Sequence, residues 1–489
     1  MRNAAASSFK VIFIYPDICK GGQGKFYHGI GYLSASLKRN NYDTALIHLT
    51  KRTSKDEFLG ILDSHGDFDL IAYTATTNMF PVVLEIAEWV HGKVSTPSVI
   101  GGIHATLSPQ EVIDTGLFDI VCLGEGEEPL LELCQRLQSG LSYIDIRNLW
   151  VKNENGITKN GLRPLRSNLD ELPFPDRDIM EYHDSVDVKL LRRGVFMASR
   201  GCPYECSFCC NHSLKHLYNT NSKSYVRFRS VPNLIEEITR VVSDYPSIDN
   251  VAFHDDILPL NKEWFYAFCR EYEKSVKLPF QLNCRAELVN REMIQIAKTA
   301  GCRTVSIGIE SGSEAVRGRV LNRHMSDAVV RNAFQLCDEM GIATSSYNMV
   351  GIPGETFQDM IKTLKLNASL NAGTSQYSIF YPYPGTALFE ECRKKNLLSK
   401  KTSDSYLETT ILNFGWFRRR QIETIAKHHS QVTKVYSAIF LIGKGRELSN
   451  KIFDVSLYIT ILFGVTRFIL NVLSGCRKLR YINREDSPT

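Results

Sequence analysis

Three cysteines are spaced in a way that could hold an iron–sulfur cluster. Cys202, Cys206 and Cys209 form a CxxxCxxC motif within residues 199–211. Three thiolates can ligate three irons of a cubane [4Fe-4S] cluster and leave the fourth iron without a protein ligand, whereas ferredoxin-type electron carriers ligate all four irons with cysteine. An open iron can bind a substrate or a cofactor. The spacing therefore predicts a catalytic cluster with these three residues as its metal ligands.

Zinc and disulfides are the alternative uses of these thiols. His212 and the adjacent Cys210 are near enough in sequence to complete a four-ligand zinc site. Structural zinc sites usually show two CxxC pairs or separated Cys and His ligands, however, and no second pair follows closely. The chain has 13 cysteines, an odd number, and no apolar N-terminal signal segment. This pattern favours a reducing cytoplasm, so an iron–sulfur cluster and a cytoplasmic location are predicted.

An aromatic residue completes the motif. Phe208 stands directly before the last cysteine, and with it the segment resembles the signature of the radical S-adenosylmethionine (SAM) superfamily. The resemblance implies that the open iron binds the amino and carboxylate groups of SAM. One electron from the reduced cluster then cleaves SAM to methionine and a 5'-deoxyadenosyl radical. It also implies a low-potential electron donor such as flavodoxin or ferredoxin.

Length and composition are those of a soluble, multidomain enzyme. The 489 residues are 43% hydrophobic and 23% charged, which is enough to bury two or three cores and is unlike a disordered or low-complexity chain. The net charge of +5 is unevenly distributed. Residues 414–489 hold 13 Lys and Arg against 5 Asp and Glu, so the C-terminal part is a separate basic unit.

Alternating strand and helix patterns predict an α/β fold with two catalytic domains. Residues 1–145 are predicted to form a doubly wound, Rossmann-like domain, with short apolar strands at residues 11–15, 44–49, 70–74, 98–100 and 120–123. A linker over residues 146–190 contains a hairpin and a proline-punctuated crossing. Residues 191–400 are predicted to form a partial (β/α)6 barrel of the TIM type, with strands at 195–199, 250–254, 280–284, 304–309, 344–350 and 376–381. Residues 401–489 are predicted to be a helical extension.

Two glycine-containing loops of the first domain are candidate ligand contacts. They are Gly101, Gly102, His104 and Thr106 after the fourth strand, and Gly124, Glu125 and Gly126 after the fifth. Paired glycines let a backbone approach a ligand closely, although acidic residues here could simply cap a helix. The glycines at residues 21–24 do not form a GxGxxG fingerprint between a strand and a helix, so a nicotinamide cofactor is not expected.

Together, these two loops resemble the GGxHxT and GEGE segments of the cobalamin-binding domain in B12-dependent radical SAM enzymes. The resemblance implies that their seven residues bind cobalamin. One departure is visible, because Cys19 stands where many cobalamin domains have the histidine that ligates cobalt. Members of the radical SAM group commonly lack that histidine, so the departure bears on axial ligation more than on binding.

Polar residues follow the predicted barrel strands, where the functional loops of such barrels lie. They are Asp255 and Asp256 after the second strand, Arg285 after the third, Glu310 and Ser311 after the fourth, Gly351, Pro353 and Gly354 after the fifth, and Tyr381 and Tyr383 after the sixth. Their convergence on one rim predicts a ligand site. By resemblance, the acidic pair contacts the SAM amino group, Glu310 and Ser311 lie near the ribose, and the glycine loop lines the adenine. Arg285, Tyr381 and Tyr383 are candidate substrate contacts.

The basic extension contains an apolar segment at residues 452–473. Asp454 and Arg467 interrupt it, so it is not expected to span a bilayer. Positions 452, 455, 459 and 462 have helical spacing, and Arg477, Lys478 and Arg480 follow. The alternatives are a helix packed on the barrel, a helix on an anionic membrane surface and a dimer contact. Nucleic-acid binding is not expected, because aromatics do not interleave with the charges.

The favoured function is cobalamin-dependent radical SAM methylation of an unactivated carbon in a small-molecule or lipid-like substrate. A second hypothesis keeps both cofactors and ends in oxidation, cyclisation or rearrangement. A methylthiotransferase is less favoured, since such proteins hold three further cluster ligands in the N-terminal domain, and Cys19, Cys122 and Cys134 lack a matching setting. The last class is a non-catalytic metal-binding protein.

Overall fold

The N-terminal domain is a seven-stranded sheet with helices on both faces. The structure is a computed structural model that describes residues 8–18, 24–399, 401, 403, 405–441 and 446–463. The strands are β1 (Lys10–Pro16), β2 (Asp43–Leu49), β3 (Leu70–Thr74), β4 (Ser98–Gly101), β5 (Ile120–Cys122), β6 (Leu149–Asn153) and β7 (Gly156–Lys159), in the spatial order β2-β1-β3-β4-β5-β6-β7. The helices are α1 (His28–Arg39), α2 (Lys55–Ser64), α3 (Phe80–Val90), α4 (Gly102–Leu107), α5 (Pro109–Asp114) and α6 (Glu127–Gln138).

The strand pattern confirms the predicted doubly wound fold. Strands β1 to β5 are parallel, and all five residues of β3 are buried, as its apolar sequence requires. The predicted hairpin is present, and β6 pairs antiparallel with β5. The sheet therefore continues to Lys159, past residue 145, where the domain was predicted to end. Cys19 and residues 21–23 lie outside the described residues.

The barrel half has six parallel strands that follow one another around a partial barrel. They are β8 (Arg193–Phe196), β11 (Asn250–Phe253), β12 (Phe280–Cys284), β13 (Cys302–Glu310), β14 (Ala343–Val350) and β15 (Thr374–Ile379). A two-stranded ribbon joins β9 (Ser199–Arg200) to β10 (Arg227–Phe228). The helices are α7 (Val186–Lys189), α8 (Cys210–Leu217), α9 (Ser222–Tyr225), α10 (Val231–Asp244), α11 (Lys262–Ser275), α12 (Arg291–Thr299), α13 (Glu314–Arg319), α14 (Asp327–Glu339), α15 (Phe357–Ser369) and α16 (Ala387–Lys394).

The first barrel strand is shorter than predicted. The sequence predicted one strand over residues 195–199, whereas β8 ends at Phe196 and Ser199 begins the separate ribbon. Asp255 is the reason, because its carboxylate accepts hydrogen bonds from the Ala198 N–H and the Ser199 hydroxyl. These bonds turn the chain out of the sheet just before the cysteine motif.

The linker packs against both domains through two adjacent residues. Asp176 accepts a hydrogen bond from Ser34 of α1 at 2.5 Å and pairs with Lys38 at 2.7 Å. Arg177 is buried in the barrel half, where it pairs with Glu237 of α10 at 2.7 Å and donates to the Val195 carbonyl at 3.1 Å. The linker therefore fixes the two sheets relative to each other.

The C-terminal extension is helical, as predicted, and packs on the barrel. It comprises α17 (Trp416–Leu441) and α18 (Arg446–Phe463). One core cluster joins β14, α15 and β15 to α17 and α18, and it includes Ile422, Tyr436, Phe453 and Leu457. None of the described helices is both long and apolar enough to cross a membrane.

The buried face of α18 is not the apolar stripe that the sequence predicts. Phe453, Leu457 and Ile461 are the buried residues, whereas Ile452, Val455 and Ile459 of the predicted apolar stripe are about half exposed. Residues 464–489, including Arg477, Lys478 and Arg480, lie outside the described part of the chain.

Candidate functional site

The cysteine loop lies between the ribbon and α8, at the carboxyl end of the first barrel strand. Cys202 and Cys206 are buried, and Cys209 is the half-buried residue that precedes α8. The Ser207 N–H donates to the Leu321 carbonyl at 3.1 Å, and the Ser207 hydroxyl donates to the neighbouring Val320 carbonyl at 2.6 Å. These bonds fix the loop against the segment that follows α13.

The three thiols are not arranged as the ligands of a single metal ion. Ligands of a tetrahedral zinc lie about 2.0–2.3 Å from the ion and hence within roughly 4 Å of one another. Among the described residues, the three cysteine sulfurs do not form a set within 4.8 Å. His212, the candidate zinc ligand, lies instead beside Glu205 and His216. The wider spacing fits a cubane cluster, which binds each thiolate to a different iron.

Two buried arginines surround the middle cysteine. Nη1 of Arg285 is 3.5 Å and Nη1 of Arg323 is 3.9 Å from Sγ of Cys206. Arg285 also lies 3.7 Å from the Tyr204 ring centroid and pairs with Glu287 at 2.5 Å. Both guanidinium groups can donate N–H hydrogen bonds to this sulfur, as partners outside the ligand shell of a metal site commonly do. Arg285, predicted as a substrate contact, thus lies against a predicted cluster ligand.

Asn211 and Asp256 connect the cysteine loop to the end of the second barrel strand. Asn211 donates from Nδ2 to Asp256 Oδ2 at 2.8 Å and lies 3.8 Å from Sγ of Cys209. Its carbonyl accepts a hydrogen bond from the Tyr225 hydroxyl at 3.0 Å. A hydrogen bond from Cys210 lowers the pKa of the Cys209 thiol. Asp256 is therefore close to the cluster loop while its side chain stays accessible.

The two predicted aspartates differ in role. Asp255 is buried, and its carboxylate is used by Ala198 and Ser199 of the barrel wall. Burial raises the pKa of Asp255 to about 6. Asp256 is exposed and lines a cavity. Of the pair, Asp256 is the carboxylate that can reach an ammonium group.

The end of the fourth barrel strand has an unusual backbone. Glu310 has φ of +68°, in the left-handed region that non-glycine residues rarely adopt, and the pairing of β13 with β14 shifts register there. Such strain persists only where the surroundings impose it, and it is common at ligand sites. Burial raises the pKa of Glu310. Ser311 is fully buried, and its carbonyl accepts from Arg317 at 2.6 Å, so its visible contacts are structural.

The loop after β14 is fixed by a buried glutamate and by α17. Glu355 Oε2 accepts hydrogen bonds from the N–H groups of Gly351 at 2.8 Å and Ile352 at 3.2 Å. Burial raises the pKa of Glu355 to about 8. Gly351 has φ of +79°, and a Cβ there would lie 3.0 Å from Ile422 of α17. Pro353 and Gly354 lie in the same loop, so the sequence-predicted adenine loop is supported by the C-terminal extension.

The remaining barrel candidates lie near this rim. Tyr381 and Tyr383 are neighbours, with ring centroids 5.4 Å apart. The chain just after them reaches α8, where Ser213 donates to the Gly385 carbonyl at 2.7 Å. Phe208 packs against the apolar cluster that contains Met349 and Ile352, next to the predicted adenine loop.

In the N-terminal domain, Gly102 and Thr106 shape the first predicted cobalamin loop. Gly102 has φ of +92°, and a Cβ would lie 2.7 Å from Thr74 Oγ1. Thr106 donates to the Gly102 carbonyl at 2.9 Å and accepts from the Gly124 N–H at 3.0 Å, which ties the two loops together. His104 is buried, and its ring packs at a tilt against that of Phe80, with centroids 4.1 Å apart. Burial lowers the pKa of His104 to about 4, so the imidazole is neutral.

Glu125 contacts the barrel half directly. Its carboxylate pairs with Arg227 at 2.8 and 3.0 Å and with Arg200 at 3.2 Å. Glu127 pairs with Arg200 at 2.6 Å. The Glu125 N–H donates to the Tyr218 hydroxyl at 2.9 Å. The acidic loop, predicted from its motif as a cobalamin contact, therefore also joins the two domains through α8 and the ribbon.

A cavity of about 360 Å³ lies between the two domains. Its N-terminal wall includes Tyr27, Gly102, Thr106, Gly124 and Glu125, and its barrel wall includes Asn211, Tyr218, His254, Asp255 and Asp256. The carboxyl ends of both sheets supply these residues, which is where α/β proteins and barrels bind ligands. Arg200, Arg227, Arg323 and Asn211 were missed by the sequence analysis, although Arg200 and Asn211 flank the cysteine motif in the printed sequence.

The observed residues fit the cofactors that the motifs imply. The three cysteine sulfurs do not all lie within 4.8 Å of one another, and N–H donors from two arginines lie beside Cys206, as is common at ligand sulfurs. The cavity wall has glycines at positive φ, where the backbone can approach a large ligand. Both ring nitrogens of His28 are buried without a hydrogen-bond partner among the described residues, and its ring lies 5.5 Å from that of His254 in the cavity. Polar groups left in this way are common beside a ligand site.

The chain is similar to proteins that contain both kinds of domain. It is 30% identical over 422 residues to an uncharacterized methyltransferase of Pyrococcus horikoshii, across 84% of this chain and 87% of that one. It is 24% identical over 408 residues to the anaerobic magnesium-protoporphyrin IX monomethyl ester cyclase of Rubrivivax gelatinosus, across 79% and 70% of the two chains. The solved cobalamin-dependent S-adenosylmethionine radical enzyme OxsB shares its fold with a TM-score of 0.68, over 97% of this chain and 76% of that chain, at 15% identity.

Two family models divide the chain as the fold does. The radical SAM superfamily matches residues 197–366, and the B12 binding domain matches residues 27–134. These two domains take a [4Fe-4S] cluster, SAM and cobalamin as their cofactors. The chain therefore belongs to the radical SAM superfamily, among the enzymes that carry a B12-binding domain.

Proposed function

We propose that this enzyme methylates an unactivated carbon of a small-molecule or lipid-like substrate with the help of cobalamin. The observation that carries the proposal is the cavity between the domains, which brings the Gly102 and Gly124 loops together with Asn211 and Asp256 beside the cysteine loop. A relative of nearly the same length, at 30% identity, is described as a methyltransferase. Methyl transfer to carbon is thus the favoured outcome.

The chain's own residues hold and orient the reactants. Cys202, Cys206 and Cys209 would ligate the cluster. Asp256 would accept a hydrogen bond from the ammonium group of SAM, and the backbone of residues 351–354 would line the adenine. When bound, the cluster, SAM and cobalamin supply the electron, the 5'-deoxyadenosyl radical and the methyl donor, so the protein provides no covalent nucleophile.

The other predicted site residues have proposed roles around the cavity. Glu310, with its constrained backbone, would face the ribose, with Ser311 fixing the strand end behind it. Tyr381 and Tyr383 are the proposed substrate contacts. Gly101, Gly102, Gly124 and Gly126 would let the backbone approach cobalamin, and Thr106 holds these loops together. Closing such a cavity excludes water from a radical.

A second outcome keeps the same site and omits methyl transfer. The relative from Rubrivivax gelatinosus is described as a cyclase, so oxidation, cyclisation or rearrangement is the alternative. A methylthiotransferase is disfavoured by the surroundings of two cysteines. Cys122 and Cys134 both pack in the apolar core of the N-terminal sheet rather than at the cavity.

The test uses the reconstituted full-length protein. Incubation with SAM, a low-potential reductant and hydroxocobalamin should release 5'-deoxyadenosine and leave a cobalamin spectrum on the desalted protein. Cys206→Ala should lose cluster and activity together, while Cys134→Ala, a core cysteine of the other domain, should keep both. An active Cys206→Ala variant, or no 5'-deoxyadenosine with any lysate as substrate source, would refute the proposal.

Enzymes of this superfamily act on small molecules and take electrons from a donor. We infer a cytoplasmic flavodoxin or ferredoxin as the donor here.

We further infer peripheral contact with an anionic membrane, which the outer face of α18 supports. Leu448, Ile452, Val455 and Ile459 are all exposed on this helix, and residues 414–489 are strongly basic. Apolar residues beside basic charge are typical of interfacial helices.

Liposome flotation tests this contact without removing the buried face of α18. The variant with Ile452→Ser, Val455→Ser and Ile459→Ser should float less with anionic vesicles than the wild type, and neutral vesicles should bind neither. Equal flotation of the two proteins would refute the membrane contact. If the rest of the chain or a second copy covered the apolar stripe, the wild-type protein would not float with vesicles. That result would also refute the membrane contact.

A further inference from the structure

A second group of potential metal ligands lies beside the cysteine loop. Glu205 belongs to the loop, and His212 and His216 are one turn apart on α8. One ligand atom from each of these residues lies within 4.8 Å of the other two. The three side chains are therefore close enough together to hold a single ion. None of these three side chains is among those proposed above for the cluster, SAM or cobalamin.

The geometry points to a binding site for a divalent transition metal, which we propose to be zinc, formed by Glu205, His212 and His216. Imidazole nitrogens and carboxylate oxygens are ordinary zinc ligands, and three protein ligands with an open position is a familiar zinc arrangement. Residues four apart on a helix share one face, so α8 presents both imidazoles together. Small side-chain adjustments would bring the three atoms to ligand distances.

The contacts of His212 support this site independently. Its ring lies edge-on to that of His216, with centroids 4.5 Å apart. Its Nδ1 atom is enclosed and has no hydrogen-bond partner among the described residues. A buried polar atom without a hydrogen-bond partner is energetically unfavourable. A metal at this position would complete the coordination of the histidine pair.

Lys215 is the cation that now neutralises Glu205. Its Nζ lies 2.5 Å from Glu205 Oε1, so it would compete with a metal for that carboxylate. The same ammonium lies 3.5 Å from Ser222 Oγ, which gives it a second partner if it leaves. Because Glu205 is adjacent to Cys206, the ion would join the cluster loop to α8, whose Asn211 and Tyr218 line the cavity.

Zinc binding to the cluster-loaded protein tests the site. The holoprotein would be treated with a chelator, desalted and titrated with Zn²⁺ against a chromophoric competitor, with iron and acid-labile sulfide measured in the same samples. We expect one zinc per chain in addition to the cluster. His212→Ala and His216→Ala should each weaken zinc binding by more than about a hundredfold, because even partners outside the ligand shell cost about 10- to 100-fold.

The matched variants keep the result interpretable. His183→Ala removes an exposed histidine of the linker and should bind zinc like the wild type. Glu205→Gln should weaken binding, and Lys215→Met should strengthen it by removing the competing ammonium. Absence of zinc beyond the cluster, or equal affinity in the two histidine variants and the wild type, would overturn the proposal. Unchanged iron and sulfide in these variants would separate such a failure from failure of the cluster assignment.

Discussion

Among the three proposed cluster ligands, Cys206 has two buried arginines beside its sulfur. Arg285 and Arg323 both direct guanidinium groups at its sulfur, and both side chains are buried. Arg323 is fixed by donating to the Gly308 carbonyl at 2.6 Å, and Arg285 by Glu287. Hydrogen bonds to ligand sulfurs stabilise the more reduced, more negative cluster and raise its potential. The two arginines are therefore expected to make the cluster easier to reduce.

Replacing these arginines should lower the reduction potential of the cluster. Arg285→Met and Arg323→Met each remove a positive charge and an N–H donor from Cys206, so each potential should become more negative in a titration followed by electron paramagnetic resonance. Arg303→Met, an exposed position on the same strand as Glu310, serves as the control. Unchanged potentials in both variants with intact cluster content would contradict this role.

The sequence predicts the cysteines as metal ligands more readily than it predicts the side chains that contact them. The spacing of the three cysteines alone predicts them as cluster ligands, and the position of Arg285 at a strand end makes it a candidate site residue. Arg323 follows α13 and meets Cys206 only when the chain folds, 117 positions apart. Asp255 and Asp256 are neighbours with the same side chain and both line the cavity. Only the fold shows that the Asp255 carboxylate is used by Ala198 and Ser199 while Asp256 stays exposed.

Helix α17 acts on the predicted SAM site by supporting the loop after β14. Ile422 packs where a side chain at Gly351 would be, and Arg418 donates to the Glu355 carbonyl. Glu355 holds the N–H groups of Gly351 and Ile352. The helical spacing of its apolar residues predicted that the extension is helical. Packing on the barrel was one of three predicted roles, beside a membrane contact and a dimer contact. Its contact with this loop was not predictable, because Gly351 and Ile422 are far apart in sequence.

Loosening this support should weaken SAM binding while the cluster remains. Arg418→Met removes the donor to the Glu355 carbonyl, so the loop loses one of its fixed points. The dissociation constant for SAM should rise severalfold by equilibrium dialysis, with iron and sulfide content unchanged. Arg420→Met, on the same helix without that bond, is the control, and equal SAM affinity in the two variants would argue against a supporting role for α17.

Glu355 should also make stability depend on pH. Its pKa in the folded protein is about 8, raised by burial above the ordinary value of 4.5, so the folded state binds the proton more tightly than the unfolded state. This contribution is fully present below about pH 4.5 and is lost as the pH rises toward 8. Glu355→Gln keeps an acceptor for the two N–H groups and does not titrate.

The wild type should therefore lose stability relative to Glu355→Gln between pH 5 and pH 8. Thermal unfolding of the two proteins across this range measures the difference. A difference in melting temperature that is constant with pH would show that this carboxyl group is not protonated in the fold.

The two domains are joined by contacts that surround the cavity. Glu125 and Glu127 of the N-terminal domain meet Arg227 and Arg200 of the barrel half, and the linker adds Asp176 and Arg177 on the two sides. The order of strands and helices predicted both domains correctly. The motif at residues 124–128 suggested cofactor binding, but its arginine partners lie about a hundred positions away and could not be assigned from one sequence.

Breaking the ion pair between domains should loosen the cavity. Arg227→Met leaves the partly buried Glu125 without its bidentate partner, and losing one member of a buried pair can cost about 3–5 kcal/mol. Trypsin should then cleave the linker at residues 160–190 faster. Arg192→Met breaks a pair with Asp249 that is more than half exposed, which is worth about 0–1 kcal/mol, and should leave cleavage unchanged. Equal cleavage rates in both variants would contradict this role of Glu125.

The most direct measurement follows a labelled methyl group onto cobalamin, because this step needs no knowledge of the substrate. The reconstituted protein, loaded with hydroxocobalamin and desalted, would be incubated anaerobically with reductant and SAM carrying a trideuterated methyl group. Mass spectrometry of the protein-bound cobalamin should then show a trideuterated methyl group, together with 5'-deoxyadenosine in solution. Release of 5'-deoxyadenosine from protein that retains no cobalamin, or retains cobalamin without the label, would contradict cobalamin-dependent methylation.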